Sequence, residues 1–185
     1  MAEGFDTPSI LALARSDAYT FSKIREPSLR LIAGQGVEGD AHCGETVKHR
    51  SRVAADPTQP NLRQVHLIQS ELFVELRDEG FEVEPGALGE NITTRGLDLL
   101  ALPTGTLLGL GTDASIEVTG LRNPCGQING LHDGLLAMVR SRNERGDVVR
   151  RAGVMAVVVV GGRIETGHSI SVTLPREPHR PLECV

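Results

Sequence analysis

The seven residues Val154-Met155-Ala156-Val157-Val158-Val159-Val160 form the longest uninterrupted apolar run of the chain, and they constrain its fold more than any other feature. The run is far short of the roughly 20 residues a membrane-crossing helix requires. It is rich in β-branched valine and stops at Gly161-Gly162, so it reads as a buried strand. Shorter pieces of the same kind surround it. Ser9 to Ala14, Leu29 to Ala33 and Gln64 to Ile68 read as earlier strands, and Thr106 to Leu110 with Ser115 to Thr119 as a hairpin across Gly111-Thr112-Asp113-Ala114. Ser169 to Thr173 is expected to pair back onto the valine run. The whole pattern predicts a mainly β fold, a closed or nearly closed β-barrel with a few short α-helices.

Two segments carry helical spacing instead. Ser70 can cap a helix that places Leu72, Phe73 and Leu76 on one face and stops at Gly80. Between Asn123 and Gly146, Leu131, Leu135, Met138 and Val139 are helically spaced. Gly130 and Gly134 each cost a helix interior about 1 kcal/mol relative to alanine, which predicts two short helices in place of one. A chain of 185 residues without repeat or linker is read as one domain over residues 1–174. Residues 175–185 hold three prolines and no periodicity, and are expected to be an extended or disordered tail in which Cys184 has no role.

The net charge of -5 argues against nucleic acid, which calls for a broad cationic footprint. Charge is uneven, however. Lys48, Arg50, Arg52 and Arg63 against Asp56 give a local +3, whereas Glu71 to Asp98 is strongly acidic. A short basic segment in an acidic protein suits a small anionic ligand. Three widely spaced cysteines, Cys43, Cys125 and Cys184, read as reduced thiols. Met1 to Pro8 lacks a signal-peptide pattern, so the expected location is cytoplasmic, away from membranes.

Chemistry concentrates in four stretches. In Asn123-Pro124-Cys125-Gly126, Asn is a favoured N-cap and Pro a favoured first helical residue, which puts Cys125 at the second helical position beside unbonded amides, with Arg122 as a nearby cation. A cysteine there is either a reactive thiol or a small buried hydrophobe. Gly36 to Gly44 is a glycine-punctuated turn presenting Asp40 and His42, which can orient a substrate, transfer protons or begin a metal site. From Cys43 to Arg63 runs a loop of about 20 residues, a length that is uncommon without a function or disorder. Lys48, His49, Arg50 and Arg52 ride on it and Arg63 closes it, offering planar forks for phosphate. Pro85 to Thr94 is a second such turn and presents Glu90 and Asn91.

In order and spacing, these stretches resemble the MOSC domain, the family named for the C-terminal domain of molybdenum cofactor sulfurase. The resemblance rests on GVEGDAHCG (36–44), NLRQVHLI with Glu71 (61–71), PGALGENITT (85–94), GLDLLALPTGTLLGLG (96–111), VTGLRNPCGQ (118–127) and GVMAVVVVGGRIETGHSI (153–170). It implies a β-barrel and one functional cysteine, here Cys125, which either carries a transferable sulfur as a persulfide or ligates molybdenum of a bound pterin cofactor. On the cofactor reading, the resemblance implies reduction of N-hydroxylated compounds. Arg50, Arg63 and Arg122, with Lys48 and His49 beside them, would hold the cofactor phosphate. Glu90, Asn91 and Asn123 would bond the heterocycle, and His42 or Asp40 would handle protons.

Electrons would come from a separate flavin or iron-sulfur partner. On the sulfur-transfer reading the partner is a cysteine desulfurase, and pyridoxal phosphate belongs to that partner alone. A non-catalytic cofactor carrier is the third alternative. The chain departs from the family at Gly167-His168-Ser169-Ile170, where Gly-Asp-x-Ile is usual, and Cys43 is an additional thiol able to resolve an oxidised Cys125.

Overall fold

Every second residue of Ala114–Leu121 is buried: Ala114, Ile116, Val118 and Gly120 face inward while Ser115, Glu117, Thr119 and Leu121 stay half-exposed. That period of two belongs to a strand with one face on a core. The computed structural model describes residues 7–185, apart from the side chains of Arg50 and Ser51. In chain order its strands are β1 (Ser9–Arg15), β2 (Ile24–Glu26), β3 (Ser28–Ile32), β4 (Gly36–Val37), β5 (Val65–Gln69), β6 (Ile92–Arg95), β7 (Leu107–Leu110) and β8 (Ala114–Leu121). They continue with β9 (Arg140–Arg142), β10 (Val148–Arg150), β11 (Val154–Val160), β12 (Gly162–Glu165) and β13 (Ile170–Thr173). The helices are α1 (Arg50–Ala55), α2 (Glu71–Asp78) and α3 (Leu135–Val139).

The fold is mainly β, as expected, and its principal sheet has eight strands in the order β13-β7-β8-β11-β5-β6-β1-β2. The valine run is interior to it. β11 pairs with β8 on one side and β5 on the other, which explains the burial of Val154, Met155, Ala156 and Val158. With both of its edges taken, β11 cannot accept the last strand. β13 therefore pairs with β7, Ile170 opposite Leu110, and not with the valine run.

The expected barrel does not close. β2 occupies the free edge of β1 from Leu13 to Arg15, so only the first residues of β1 can reach the opposite end of the sheet. There a single bridge, Ser9 to Ser169, is supported by Ile10 N donating to His168 O at 2.9 Å. No ladder joins β1 to β13, and the sheet is open. A smaller sheet, β12-β3-β4, is a separate ladder that packs against it and contributes Leu29, Leu31, Val37 and Ile164 to the main core, which also holds Ile116, Val118 and Val154.

β5 and β6 run parallel, and α2 makes the crossover between them. Its buried stripe is Leu72, Phe73 and Leu76, which joins Ile68, Leu135 and Val139 in a second core. Ser70 precedes this helix without capping it: its side chain makes no bond to the first-turn amides. The 123–146 segment holds two short helical pieces, a 3-10 turn over Gly126–Gly130 and α3. Residues 175–185 run along the domain surface. Thr104 N donates to Arg180 O and Leu121 N to Glu183 O, and a one-residue bridge aligns Cys184 with Leu121. Among the described residues no helix is long and apolar enough to cross a membrane.

Candidate functional site

Asp40 organises the site from behind. Its carboxylate accepts from Lys23 Nζ at 2.6 Å, His42 N at 2.9 Å, Asn91 Nδ2 at 3.0 Å and His42 Nδ1 at 3.1 Å, with Ser16 N more distant at 3.4 Å. Its side chain and that of Lys23 are almost completely buried. Burial alone would raise the Asp40 pKa, but the His42 hydrogen bonds and the Lys23 charge outweigh it and hold the carboxyl well below the usual range. Asp40 is thus an ionised hub joining the β1–β2 connection, the glycine turn and the approach to β6.

The second glycine turn supplies close backbone packing. A Cβ on Gly89 would stand 2.6 Å from Phe21 O, and one on Gly86 would stand 2.8 Å from Lys23 O. Both glycines have positive φ, and Lys23 N donates to Gly86 O at 2.9 Å. Their bare Cα atoms let the turn press against the β1–β2 connection, which aims Phe21 and Lys23 at the pocket. Glu90 is sealed beneath, accepting from Gly86 N and Thr93 Oγ1, and burial pushes its carboxyl up.

In front of this frame lies a cavity of about 690 Å³. Its lining includes Phe21, Lys23, His42, His49, Arg52, Arg63, His66, Asn91, Arg122, Asn123 and Cys125. Arg122 leaves the end of β8 with its guanidinium 5.5 Å from the Phe21 ring centroid, a cation-π arrangement. Its Nη1 is buried without a hydrogen-bond partner, and so is Nε of Arg63. Burial pulls Arg63 down to about 10, with Arg52 and Arg122 acting in the same direction and the Cys184 and Cys125 sulfurs against it. Among the described residues, no carboxylate forms an ion pair with Arg52, Arg63 or Arg122.

The histidines are held differently. His42, fixed at Nδ1 by Asp40, stacks its ring edge to Tyr19 at 5.5 Å and lies 5.2 Å from His49. Burial first, and then the charges of Arg63, His42, Arg122 and Arg52, depress His49 to about 4, so it is neutral at pH 7. His66 is buried at the back of the cavity lining, bonds Ala152 O through Nε2 at 2.7 Å, and is held well below its ordinary value by burial.

Cys125 is exposed on the pocket wall. It does not occupy the second helical position: the chain stays extended through Cys125, which is itself the residue before the 3-10 turn, and its Sγ approaches Gln127 Oε1 at 3.5 Å. Accessibility, rather than a full helix terminus, distinguishes this thiol.

The structure brings together Cys125, His42, His49, Arg63, Asn91, Arg122 and Asn123 from the residues predicted by sequence. It separates others. Asp40 and Glu90 lie behind the wall, Lys48 turns away with its stem over Gly44, and the Arg50 side chain falls outside the described residues. Lys23, Phe21 and Cys184 were not foreseen. Nothing local marks the first two, and Cys184 reaches the pocket only because residues 181–185 lie along β8. The unusual His168 is not in the pocket: its ring packs over Gly111 and its carbonyl serves the Ser9–Ser169 bridge.

The sequence profile of the MOSC domain matches residues 42–171, well over half of the chain. Among solved structures, the YuaD protein from Bacillus subtilis is 25% identical with a TM-score of 0.74, over 92% of this chain and 97% of that one. YiiM from Escherichia coli and YiiM from Geobacillus stearothermophilus, each 20% identical, share the fold with TM-scores of 0.61 and 0.62. The matches cover 93% and 90% of this chain, and 73% and 75% of the respective YiiM chains. No curated protein matches the sequence. The chain belongs to the MOSC domain family, which is associated with molybdenum-cofactor binding and sulfurase-like roles.

Proposed function

We propose that the pocket binds a molybdenum-pterin cofactor and that the protein reduces N-hydroxylated compounds, with Cys125 as the protein ligand to the metal. One observation carries this reading. Two guanidinium groups, those of Arg63 and Arg122, hold buried donor atoms without partners in the same cavity that exposes Cys125. An unsatisfied buried charged donor costs more than about 1–3 kcal/mol, and a phosphate oxygen offsets that cost through charge-assisted bonds. The donor set fits the group: a soft thiolate for a redox metal and planar cations for the phosphate.

When bound, the cofactor supplies two-electron redox chemistry at the metal. The residues of the chain supply the rest. Arg63 and Arg122 anchor the phosphate, with Arg52 adding to the positive field. Asn123 offers a polar contact to the heterocycle. Asn91 braces the wall instead: its amide donates to Ala14 O and to the Asp40 carboxylate and its oxygen accepts from His66 N, which ties the wall to the hub.

Reduction of a hydroxylamine to an amine takes up two electrons and two protons and releases water. The Asp40 carboxylate accepts Nδ1–H of His42, which leaves Nε2 as the atom that holds or gives up a proton at the substrate oxygen. Asp40 is here a positioning residue for His42, and Lys23 keeps it ionised. Electrons arrive from a separate flavin or iron-sulfur partner.

Protein produced in a host that makes the cofactor is expected to carry molybdenum and pterin together. Cys125→Ala is expected to lose the metal and keep the pterin, whereas Arg63→Ala loses both. Absence of both from correctly folded wild-type protein overturns the proposal. The exposure of Cys125 also favours a second reading, sulfur transfer, because a persulfide needs only an accessible thiol. A one-sulfur mass gain after incubation with a cysteine desulfurase and cysteine, abolished by Cys125→Ser, would select it.

A further inference from the structure

A basic hairpin is joined to the wall of the pocket. β9 and β10 pair with Arg140 opposite Arg150 and Arg142 opposite Val148, and residues two apart on a strand share a face, so Arg140, Arg142 and Arg150 lie on one side of the ribbon. Like charges placed directly opposite each other are destabilising. Among the described residues, no carboxylate forms an ion pair with Arg140, Arg142, Arg145 or Arg150. Asp147 in the turn is bonded by Asn143 Nδ2 at 3.2 Å, and Glu75 of α2 pairs with Arg151. The fold treats its other opposed arginines differently. Arg30 and Arg163 also face each other across a ladder, and there Glu38 stands 4.0 Å from Arg30 and Glu165 2.9 Å from Arg163. The hairpin connects to the site through Arg150, whose Nε donates to Asn123 Oδ1 at 3.2 Å; Asn123 lines the cavity two residues before Cys125.

We propose that the β9–β10 hairpin is the docking face for an acidic one-electron carrier protein of the iron-sulfur class, an inference that rests on the reductase reading of the pocket. Charge complementarity selects the partner. The hairpin presents four arginines over residues 140–150 against Glu144 and Asp147, within a chain of net charge -5, so an acidic protein is attracted to this face and repelled by most of the rest. Reduction of one hydroxylamine oxidises two such carriers by one electron each, and each has to dock and leave within a turnover. Exposed charge pairs give fast association and ready release, as a buried apolar contact does not. Electron-transfer encounters are also small, below about 1,200 Å² in all, a size that suits a two-stranded ribbon. Nucleic acid asks for a wider cationic footprint, and α2, which meets the hairpin at Arg151, exposes Glu75 and Asp78. A small phosphate ligand asks for a concave site, whereas β9 is exposed along its whole length. Arg150 belongs both to this face and to the support of Asn123, so a carrier seated on the ribbon lies against the wall that bears Cys125.

The test measures binding of a plant-type [2Fe-2S] ferredoxin, an acidic one-electron carrier, to the full-length protein by titration calorimetry. Wild type is expected to bind, with affinity falling at least about tenfold between ~20 and ~200 mM salt. At ~100 mM salt, the double variant Arg140→Glu with Arg142→Glu is expected to bind at least about tenfold more weakly. Arg30→Glu with Arg163→Glu makes the same change in net charge on a different sheet, and is expected to stay within about twofold of wild type. If charge reversal unfolds the ribbon, Arg140→Gln with Arg142→Gln decides, with an expected loss of at least about threefold. No binding by wild type, binding indifferent to salt, equal losses in the two Glu double variants, or tighter binding of a single-stranded oligonucleotide than of the ferredoxin overturns the proposal. Metal and pterin are measured on the same preparation. Cofactor-free protein that binds in this charge-dependent way overturns the cofactor reading alone, and loaded protein that does not bind overturns the docking face alone.

Discussion

Removing the Asp40 carboxylate should be among the most damaging single changes to this protein. Asp40→Ala strands the Lys23 ammonium, whose side chain is about as inaccessible as that of Asp40 and which already sits in the field of Arg122. It also takes the acceptor from Asn91 Nδ2, His42 N and His42 Nδ1. Breaking one partner of a buried ion pair costs about 3–5 kcal/mol. For a chain of this size each kcal/mol lowers the melting temperature by about 2–4 °C, so the expected fall is about 6–20 °C.

The cause is separable from mere loss of packing. Lys23→Met on top of Asp40→Ala removes the stranded charge, and a buried pair replaced by apolar groups is often neutral. The double variant is therefore expected to regain, in urea unfolding, the share of the lost stability caused by the stranded ammonium, while Asn91 and His42 remain without their acceptor. A loss below about 1 kcal/mol in Asp40→Ala, or no recovery in the double variant, refutes the hub. The pH dependence has a fixed sign. The folded pKa of Asp40 lies below its unfolded value near 3.9, so the unfolded state binds more protons in that acid window. The carboxylate contributes its full stabilisation above about pH 4 and loses it as pH falls through the depressed value; Asp40→Ala should lack this acid limb.

Two further outcomes follow from the pocket. Gly120→Ala should push the 181–185 segment off β8, because its Cβ would meet Glu183 O at 2.3 Å; Cys184 is then expected to alkylate faster while overpacking costs about 1–3 kcal/mol, and an unchanged Cys184 rate would refute this packing. His49 is held at about 4 against an unfolded value near 6.5, so between these values the unfolded state binds more protons and stability falls as pH drops. Urea unfolding at pH 7 and pH 5 should show that slope in wild type and a shallower one in His49→Gln, and equal slopes would refute the burial of this ring.

What the sequence made legible is what local periodicity encodes. The alternation in β8, the valine run of β11 and the apolar stripe of α2 all fold as their spacing predicts, since each pattern is written within one element. Sheet closure is not written there. Whether β13 meets β11 or β7, and whether β1 meets β13, depends on which strand takes an edge first, and β5, β8 and β2 take them. The site divides in the same way. Cys125, Arg63 and Arg122 could be read from residue type and motif. Asp40 and Glu90 stand in motifs too, but residue type does not tell a carboxylate facing a cavity from one sealed behind its wall. Lys23 and Cys184 arrive through contacts made far along the chain, at Gly86 and Gly120, where the informative residue is the glycine that permits the approach.

The charge balance of the pocket follows from this division. Burial of Asp40 would ordinarily make it a counter-ion for the arginines, yet Lys23 consumes it at 2.6 Å, and Glu90 is sealed beneath with burial favouring its neutral form. Three arginines are thereby left without an ion-pair partner among the described residues, inside a protein whose net charge is -5. Acidic residues are abundant, so the imbalance is a property of placement and not of composition. A folded core built only for stability would bring one of those carboxylates to Arg63 or Arg122, because an orphaned buried donor costs more than a satisfied one. The side chains that would neutralise the pocket are directed elsewhere, which leaves it suited to a ligand that brings negative charge.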